Sequence, residues 1–381
     1  MENQTEKLEI VGSVNKREIS ENLISLKQER IYALDLIRTI AIICVVLCHS
    51  TESTILYSRS SFLDGIIAFG LLVLGRLGVP LFLLITGYLC LSKEFKDEKD
   101  VFKFYKHNLI PLLLKCILWT CVYHLILTHY FDIEIDTRTF IKNILFIDKQ
   151  IHMNHMWYMP VIIGIYLFLP FIAHIVKNFN LKTLIIPIIV IVFVYSVVPM
   201  LNRHFDMIVD FMFELRFTAG IYGIYVIFGY FIKKGNFFKK VPKYLILLFF
   251  FVFYVLVIFE QVYCEKKELN YFLWYDNFFL LFAGLTLFVL MGRLKFKKSK
   301  FTQFLQFTSK NSLSVFFIHI IVLNIVIKCT FNLVKNIYLR LIVCFVPVLI
   351  ISYLIAYLLN IISKVLNKFF ILFVFWELKM L

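Results

Sequence analysis

The chain of 381 residues is far more apolar than a soluble domain: 61% of its residues are hydrophobic, 17% are charged, and its mean hydropathy is +0.83. Soluble domains are about half apolar and a quarter charged, so this composition excludes an ordinary soluble protein. The net charge of +15 does not indicate nucleic-acid binding, because the lysines occur in short clusters between apolar runs. We therefore predict an all-α, polytopic membrane bundle without a nucleic-acid partner.

In chain order, a polar tail precedes the apolar segments. Residues 1–30 mix Glu with Lys and Arg and lack the apolar core of a secretory signal, so we expect a cytosolic tail. Ten apolar runs are then long enough to be membrane spans. They lie at residues 31–50, 77–92, 109–128, 156–176, 183–201, 218–232, 244–260, 273–291, 312–328 and 338–363. Residues 62–76 form a further apolar run, which we expect to be a re-entrant or interfacial helix leading into the second span.

Basic residues are concentrated on alternate loops. The segments after the second, fourth, sixth and eighth spans carry most of the lysines, so the positive-inside rule places these loops and both termini in the cytoplasm. The loops 129–155 and 202–217 then lie outside. We predict one transmembrane domain over residues 31–363, a cytosolic C-terminal tail over 364–381, and a multi-pass protein of the cell membrane.

The first span, IYALDLIRTIAIICVVLCHS, carries Asp35, Arg38 and His49. Ionisable groups are costly inside a bilayer and therefore indicate a functional site. Arg38 and His49 are eleven residues apart, so they project from nearly the same helix face, roughly 16 Å apart along the axis. Asp35 lies one turn before Arg38 and is placed to pair with it. The pattern favours a ligand lying lengthwise along the helix; the alternative is a structural Asp–Arg pair with an interfacial histidine.

This span resembles the opening signature of the membrane acyltransferase-3 family, in which a basic residue is followed, after ten residues, by histidine. Arg38 and His49 match that spacing. Three later segments are similar to the family's in the same order: GRLGVPLFLLITGYL at 75–89, HMWYMPVIIGIYLFLP at 155–170 and NSLSVFFIHIIVL at 311–323. Thr86 stands where the family more usually has serine. The resemblance covers about residues 31 to 360 and implies transfer of an acyl group, most often acetyl from acetyl-CoA, to a hydroxyl of an extracytoplasmic or lipid-linked polysaccharide.

The resemblance implies roles for the charged residues around the first span. Arg38 is expected to hold a polar part of the acyl-CoA donor near the cytosol, with Asp35 fixing its rotamer. His49 is expected to take the proton from the acceptor hydroxyl as general base, the alternative being a covalent acyl carrier. Glu52, one turn further, is placed to orient the imidazole or is an exposed loop carboxylate. Arg76 is either an acceptor or oxyanion ligand at the same level or an ordinary interfacial arginine.

Aromatic and histidine side chains suggest further substrate contacts. His155, Trp157 and Tyr158 stand where the external 129–155 loop enters the fourth span. Such aromatic residues are ordinarily interfacial, but aromatic rings also stack on sugar rings, so we predict a part of the acceptor site here. His319, in the middle of the ninth span, is a further substrate-site candidate; the alternative is a hydrogen bond within the bundle.

Neither a metal nor a permanently bound cofactor is expected, since most of the eight cysteines lie in apolar runs and none has a CxxC or zinc-ligand spacing. The implied partners are the acyl-CoA donor, the glycan acceptor and membrane lipid, and a homo-oligomer is left open. Glu214 and Arg216, in an external loop, are surface charges or acceptor contacts. The main rival function is a transporter or flippase for a glycan or its lipid carrier, which would more often show broken helices in repeated halves. A second rival is a non-catalytic partner of a glycan synthase.

Overall fold

The computed structural model describes residues 31–380 except 57, 59, 148–152, 180, 206–219, 236, 237, 239, 270, 271, 331 and 332, and gives only the backbone of 181, 182 and 365–380. The described part is mostly α-helical, with short 3-10 and π-helical segments, and contains no β-strand, which confirms the all-α class. The helices are α1 (Tyr32–Thr51), α2 (Phe62–Arg76), α3 (Gly78–Cys90), α4 (Glu98–Phe104), α5 (Ile110–Tyr130), α6 (Thr137–Leu145), α7 (Tyr158–Asn178), α8 (Leu181–Val192), α9 (Val198–Phe205), α10 (Gly220–Gly235), α11 (Lys243–Lys266), α12 (Phe278–Gly292), α13 (Lys300–Thr330) and α14 (Ile337–Met380).

Eight helical segments of the described chain are long and apolar enough to cross a membrane. They are Tyr32–Leu56, Phe62–Cys90, Glu98–Tyr130, Asn154–Asn178, Thr183–Phe205, Lys243–Lys266, Lys300–Thr330 and Ile337–Lys364. The shorter helices α10 and α12 occupy the two other positions at which the sequence predicts spans. Every predicted span thus coincides with a helix, and the prediction of a polytopic helical bundle is confirmed.

The second span begins earlier than the apolar pattern suggested. Helices α2 and α3 are separated only by Leu77, which keeps helical dihedral angles, so residues 62–76 are the first half of one long segment rather than a separate helix. Pro80 lies in the first turn of α3, where its missing N–H is tolerated. Gly75 lies so close to α1 that an added Cβ would be 2.6 Å from Cys48 Cα. This contact fixes the position of the next residue, Arg76, beside the end of α1 that carries His49.

Two other boundaries differ from the sequence-based ranges. Helix α12 begins at Phe278 rather than 273, because the Asn277 side chain caps it by accepting a hydrogen bond from the Leu280 N–H at 2.9 Å. Residues 272–277 therefore form a loop that is free to carry a site. Helix α14 continues to Met380, through the segment that we assigned to a tail, and the domain boundaries themselves stay a prediction.

Helix α1 lies at the centre of the bundle, packed against α2, α3, α12, α13 and α14. Helices α3 and α10 form the tightest contact around it. A Cβ added to Gly87 would lie 1.7 Å from Val226 O, and one added to Gly229 would lie 2.0 Å from Leu84 O. Small residues allow such backbone approach, which is a common means of packing helices in membranes. The charged residues of α1 are thereby held in a rigid interior.

This contact yields a stability prediction. Gly87→Ala should destabilise the protein by about 1–3 kcal/mol or more, because the methyl group meets the backbone of α10 and neither helix can shift freely. Gly164→Ala is the matched control, since nothing lies within 4 Å of its Cβ position, and it should be neutral or slightly stabilising. The measurement is thermal unfolding in detergent. Equal midpoints for the two variants would contradict the packing described here.

Candidate functional site

The two motif residues of the first span lie on one uninterrupted helix. Arg38 and His49 both belong to α1, so their separation along the axis is roughly the 16 Å expected for eleven helical residues. Asp35 is buried, at 3% exposure, on the Arg38 side of the same helix. Its pairing with Arg38 stays a prediction. The helix thus presents a guanidinium near one end and an imidazole at the other.

A cavity of about 330 Å³ extends from the Arg38 end into the bundle. His107 and Lys115 line it beside Arg38. The deeper lining is apolar and aromatic and reaches Val45, one turn before His49 on α1. It also includes Phe82, Ile85, Tyr158, Met159, Ile162 and Phe316. A cationic mouth with an apolar interior suits a ligand that carries an anionic head and a long, weakly polar arm.

The loops at the Arg38 end bring several lysines together. Lys177 donates a hydrogen bond to the Lys93 carbonyl at 2.7 Å, and the Lys233 ammonium lies 5.1 Å from the centre of the Tyr88 ring. Lys93 lies in the loop after the second span, Lys177 in the last turn of α7 and Lys233 in the last turn of α10. The ends of these three segments therefore share one end of the bundle. The basic residues around the cavity mouth therefore belong to a larger positive surface.

At the other end of α1, His49 is held by a carboxylate and an arginine. His49 Nδ1 lies 3.0 Å from Glu52 Oε2, and Glu52 Oε1 accepts a hydrogen bond from Arg76 at 2.5 Å. Arg76 is buried, whereas His49 and Glu52 keep about a fifth of their side-chain surface exposed. A carboxylate on Nδ1 fixes the tautomer, so Nε2 of the neutral ring carries the free lone pair. This is the arrangement that a general base requires.

An aromatic cluster surrounds Arg76. The guanidinium carbon lies 4.9, 5.0 and 5.6 Å from the ring centres of Phe272, Trp274 and Tyr275. Trp157 packs against Trp274 with ring centres 4.8 Å apart. Cation–π contacts of this kind are favourable, especially away from water. Arg76 is therefore held in position through the 272–277 loop rather than free at an interface.

Buried polar contacts anchor that loop. Asn277 donates a hydrogen bond to Glu260 at 2.5 Å, and Arg203 lies 3.4 Å from Glu260 and 3.7 Å from Asp276. Burial raises the pKa of Asp276, and the nearby Arg203 opposes this effect. Burial likewise raises the pKa of the Tyr275 hydroxyl, which therefore stays neutral beside Arg76. The loop is fixed to helices α9 and α11, and it fixes Arg76 in turn.

Three histidines lie side by side next to the His49–Glu52 pair. The ring centres of His49 and His319 are 5.3 Å apart, and those of His319 and His155 are 5.5 Å apart. His155 and His319 are buried, at 3% and 0% exposure. Tyr123, on α5, lies 3.0 Å from His155 Nε2. Within the described part of the chain, no three metal-binding side chains are arranged to hold an ion.

The structure separates the three residues that the sequence grouped at the start of the fourth span. His155 joins the histidine cluster, Trp157 packs on the aromatic residues around Arg76, and Tyr158 lines the cavity. They therefore lie in three different parts of one site. Their roles in substrate binding remain predictions, as does that of His319. Glu214 and Arg216 lie outside the described residues.

Sequence reasoning missed several residues of this site. The apolar pattern places Trp274 and Tyr275 in a membrane span, whereas the structure shows a loop that ends at the capping residue Asn277. Tyr123 and Phe316 carry no signal of their own, because they are ordinary apolar-helix residues that only packing brings to the histidines. His107 and Lys115 could be anticipated only as basic residues near the cytosol.

The Glu52 contact yields a kinetic prediction. Glu52→Gln should lower the rate of acyl transfer about 5- to 12-fold, because a neutral hydrogen bond to the imidazole replaces a charge-assisted one that is stronger by roughly 1–1.5 kcal/mol. Glu94→Gln, at an exposed surface pair, is the matched control and should leave the rate unchanged. The measurement is the turnover of acyl-CoA. An unchanged rate in Glu52→Gln would show that Glu52 does not act on His49.

The fold and this site define a membrane protein with a cavity that begins at cationic side chains and leads towards a carboxylate-oriented histidine. The sequence matches the acyltransferase domain family over residues 31–361, nearly the whole chain. The chain belongs to this family, the acyltransferase-3 family, and is therefore a membrane acyltransferase. Comparison with curated proteins and with solved structures found no match.

Proposed function

We propose that the protein is an O-acyltransferase of the cell membrane that moves an acetyl group from cytosolic acetyl-CoA to a hydroxyl of an extracytoplasmic or lipid-linked polysaccharide. One structural observation supports this proposal in addition to the family assignment. The cavity begins at Arg38 and reaches within one helical turn of His49, so that a cationic entrance and an oriented base lie on one helix.

The cavity accounts for the choice of donor. Coenzyme A has an anionic nucleotide end and a long pantetheine arm that ends in the thioester. Arg38 and Lys115, with His107, would hold the anionic groups at the entrance through charge-assisted hydrogen bonds. The arm would lie in the apolar interior and direct the thioester towards His49. The rings of Tyr158 and Phe316, whose centres are 5.8 Å apart, line this interior together with Val45.

At the His49 end the residues support direct transfer. His49 Nε2 would take the proton of the acceptor hydroxyl while the oxygen of that hydroxyl attacks the carbonyl carbon of the thioester. The carbon–sulfur bond then breaks, the electron pair leaves with the sulfur, and the protonated His49 returns the proton to the coenzyme A thiolate. Glu52 stabilises the transient imidazolium, and Arg76 holds Glu52 in place. Acetyl ester and free coenzyme A are the products, and His49 is restored.

The sidedness of this reaction follows from the positive-inside rule. The lysine-rich loops and the Arg38 entrance would face the cytosol, which supplies acetyl-CoA, and the Arg76 end would face the extracytoplasmic glycan. Single cysteines placed in the 296–300 loop should react with an impermeant maleimide only from the cytosolic side. Cysteines in the 132–136 loop should react only from outside. The exposed native Cys329 is first replaced by serine, and reversed accessibility would overturn the assigned donor and acceptor sides.

The experiment that tests the function compares the cell-surface glycans of cells with and without the protein by mass spectrometry. The proposal expects an acetyl mass increment on a glycan, removable by mild alkali, that is present only when the protein is present and absent in cells that carry the His49→Ala variant. Identical glycan masses in all strains would contradict the proposal. A change in the amount of surface glycan without a change in its mass would instead support a transporter.

A further inference from the structure

Two buried ring nitrogens in the histidine cluster make no hydrogen bond within the described part of the chain. They are Nε2 of His319 and Nδ1 of His155. Both rings are almost completely inaccessible to solvent, at 0% and 3% exposure. Leaving a buried polar atom unsatisfied costs about 1–3 kcal/mol. Two such atoms on rings 5.5 Å apart are free to accept hydrogen bonds from a group placed between or beside them.

The proton positions show what kind of group that is. His319 Nδ1 lies 2.7 Å from the Phe316 carbonyl and 3.2 Å from the Val315 carbonyl. Carbonyl oxygens only accept, so Nδ1 carries the proton of the neutral ring. Nε2 of His319 is therefore left with a lone pair and can only accept a hydrogen bond.

The same reasoning applies to His155. The Tyr123 hydroxyl donates its proton to the Phe317 carbonyl at 2.9 Å. It must therefore accept at 3.0 Å from His155 Nε2, which carries the proton of that ring. Nδ1 of His155 is left as a second acceptor. Two acceptors cannot bond to each other, so only a hydrogen-bond donor from elsewhere, either a water molecule or a ligand group, can satisfy them.

The position of the two acceptor nitrogens suggests which group donates a hydrogen bond to them. The Phe316 ring lies 5.7 Å from His155 and 5.8 Å from His319, and it also lines the cavity. The two histidines are therefore one side chain away from the cavity, and His319 lies beside His49. In the pantetheine arm, the amide next to the thioester carries an N–H. Two methylene groups and the sulfur separate that nitrogen from the acyl carbon, a span comparable to the 5.3 Å between the His49 and His319 ring centres.

We propose that His319 Nε2, with His155 Nδ1 beside it, accepts the hydrogen bond of the pantetheine amide nearest the thioester and thereby places the acyl carbon next to His49. This inference rests on the proposed function, because it takes acyl-CoA as the donor. His319 and His155 then bind the acyl-CoA through its amide N–H, whereas His49 acts as the general base. In an analogue that carries an ester oxygen in place of the amide N–H, the lone pairs of that oxygen would face the lone pairs of the two histidine nitrogens, and binding would be weaker.

The test compares acetyl-CoA with an analogue in which an ester oxygen replaces that amide nitrogen. Calorimetry in detergent should show that the wild type binds the analogue about 5- to 140-fold more weakly. His319→Phe keeps a ring of similar size but removes the main acceptor, so it should lose most of the preference for acetyl-CoA. His319→Gln, whose side-chain oxygen can take the place of Nε2, should restore the preference for acetyl-CoA. His129→Phe, at an exposed residue of α5, should behave like the wild type.

The outcomes separate this inference from the function on which it rests. Equal binding of the two thioesters by the wild type, as expected if water fills the cluster, would overturn it. A full preference retained in both His319→Phe and His155→Phe would also overturn it. A wild type that shows the preference but transfers no acetyl group to glycan would support the amide contact and contradict the proposed function. Should His319→Phe fail to fold, the wild-type preference and the His155→Phe variant decide the question.

Discussion

His49→Ala should lower the rate of acetyl transfer by about 10²–10⁴-fold, which is the usual contribution of a general base. The reason is that Glu52 fixes Nδ1 of His49 and Arg76 fixes Glu52, so that the variant loses the base whose Nε2 is oriented by this contact. The helix α1 should still insert and pack, because alanine removes only a partly exposed ring. The measurement is the release of free coenzyme A by purified protein in the presence of glycan.

The exposed His129 supplies the control for this variant, and His129→Ala should keep the full rate. The elution profile of each variant in detergent shows whether it is folded. A folded His49→Ala protein with a rate near that of the wild type would remove His49 from the mechanism. Acetyl label found on His49 of the wild type after acid quenching would replace the general base by a covalent carrier.

Arg38→Lys should mainly weaken the use of the donor, raising the KM for acetyl-CoA about 10- to 140-fold. Lysine keeps the charge but loses the planar pair of donors that binds a phosphate or a carbonyl in two places, and a contact of this kind contributes roughly 1.5–3 kcal/mol. The rate at saturating donor should change little, because the reaction takes place roughly 16 Å away along α1. Calorimetry with acetyl-CoA and steady-state kinetics measure the two effects.

Two comparisons make this result specific. Arg138→Lys, at an exposed residue of α6, should leave the donor KM unchanged. His49→Ala should bind acetyl-CoA nearly as the wild type does. If Arg38→Lys binds the donor normally while His49→Ala loses it, the lengthwise arrangement of the donor along α1 is wrong.

Hydropathy alone located the helices, because each span of this protein is a long apolar run bounded by lysines or polar loops. The errors lie where local chemistry competes with hydropathy. Residues 62–76 were separated from the second span, although a helix continues through Leu77 into α3. The apolar run predicts a span that begins at residue 273, whereas Asn277 caps a helix that begins only at Phe278.

Part of the site could be predicted because it lies on one helix. The spacing of Arg38 and His49 determines their separation without any tertiary information, and Glu52 follows one turn later. The contacts of Arg76 with the 272–277 loop join residues about two hundred positions apart, and those among His49, His155 and His319 depend on how three helices pack. A single sequence has no local signal for such contacts, so these partners emerged only from the structure.

The most direct test of this account is acetyl transfer by the purified protein. Radiolabelled acetyl-CoA and an isolated cell-surface glycan fraction are incubated with the wild type and with His49→Ala in detergent, and both free coenzyme A and glycan-bound label are measured. We expect the wild type to release coenzyme A and to form an alkali-labile acetyl ester on the glycan, in equal molar amounts. We expect His49→Ala to form neither product. Intact acetyl-CoA and unlabelled glycan with the wild type, or equal labelling by both proteins, would contradict this account.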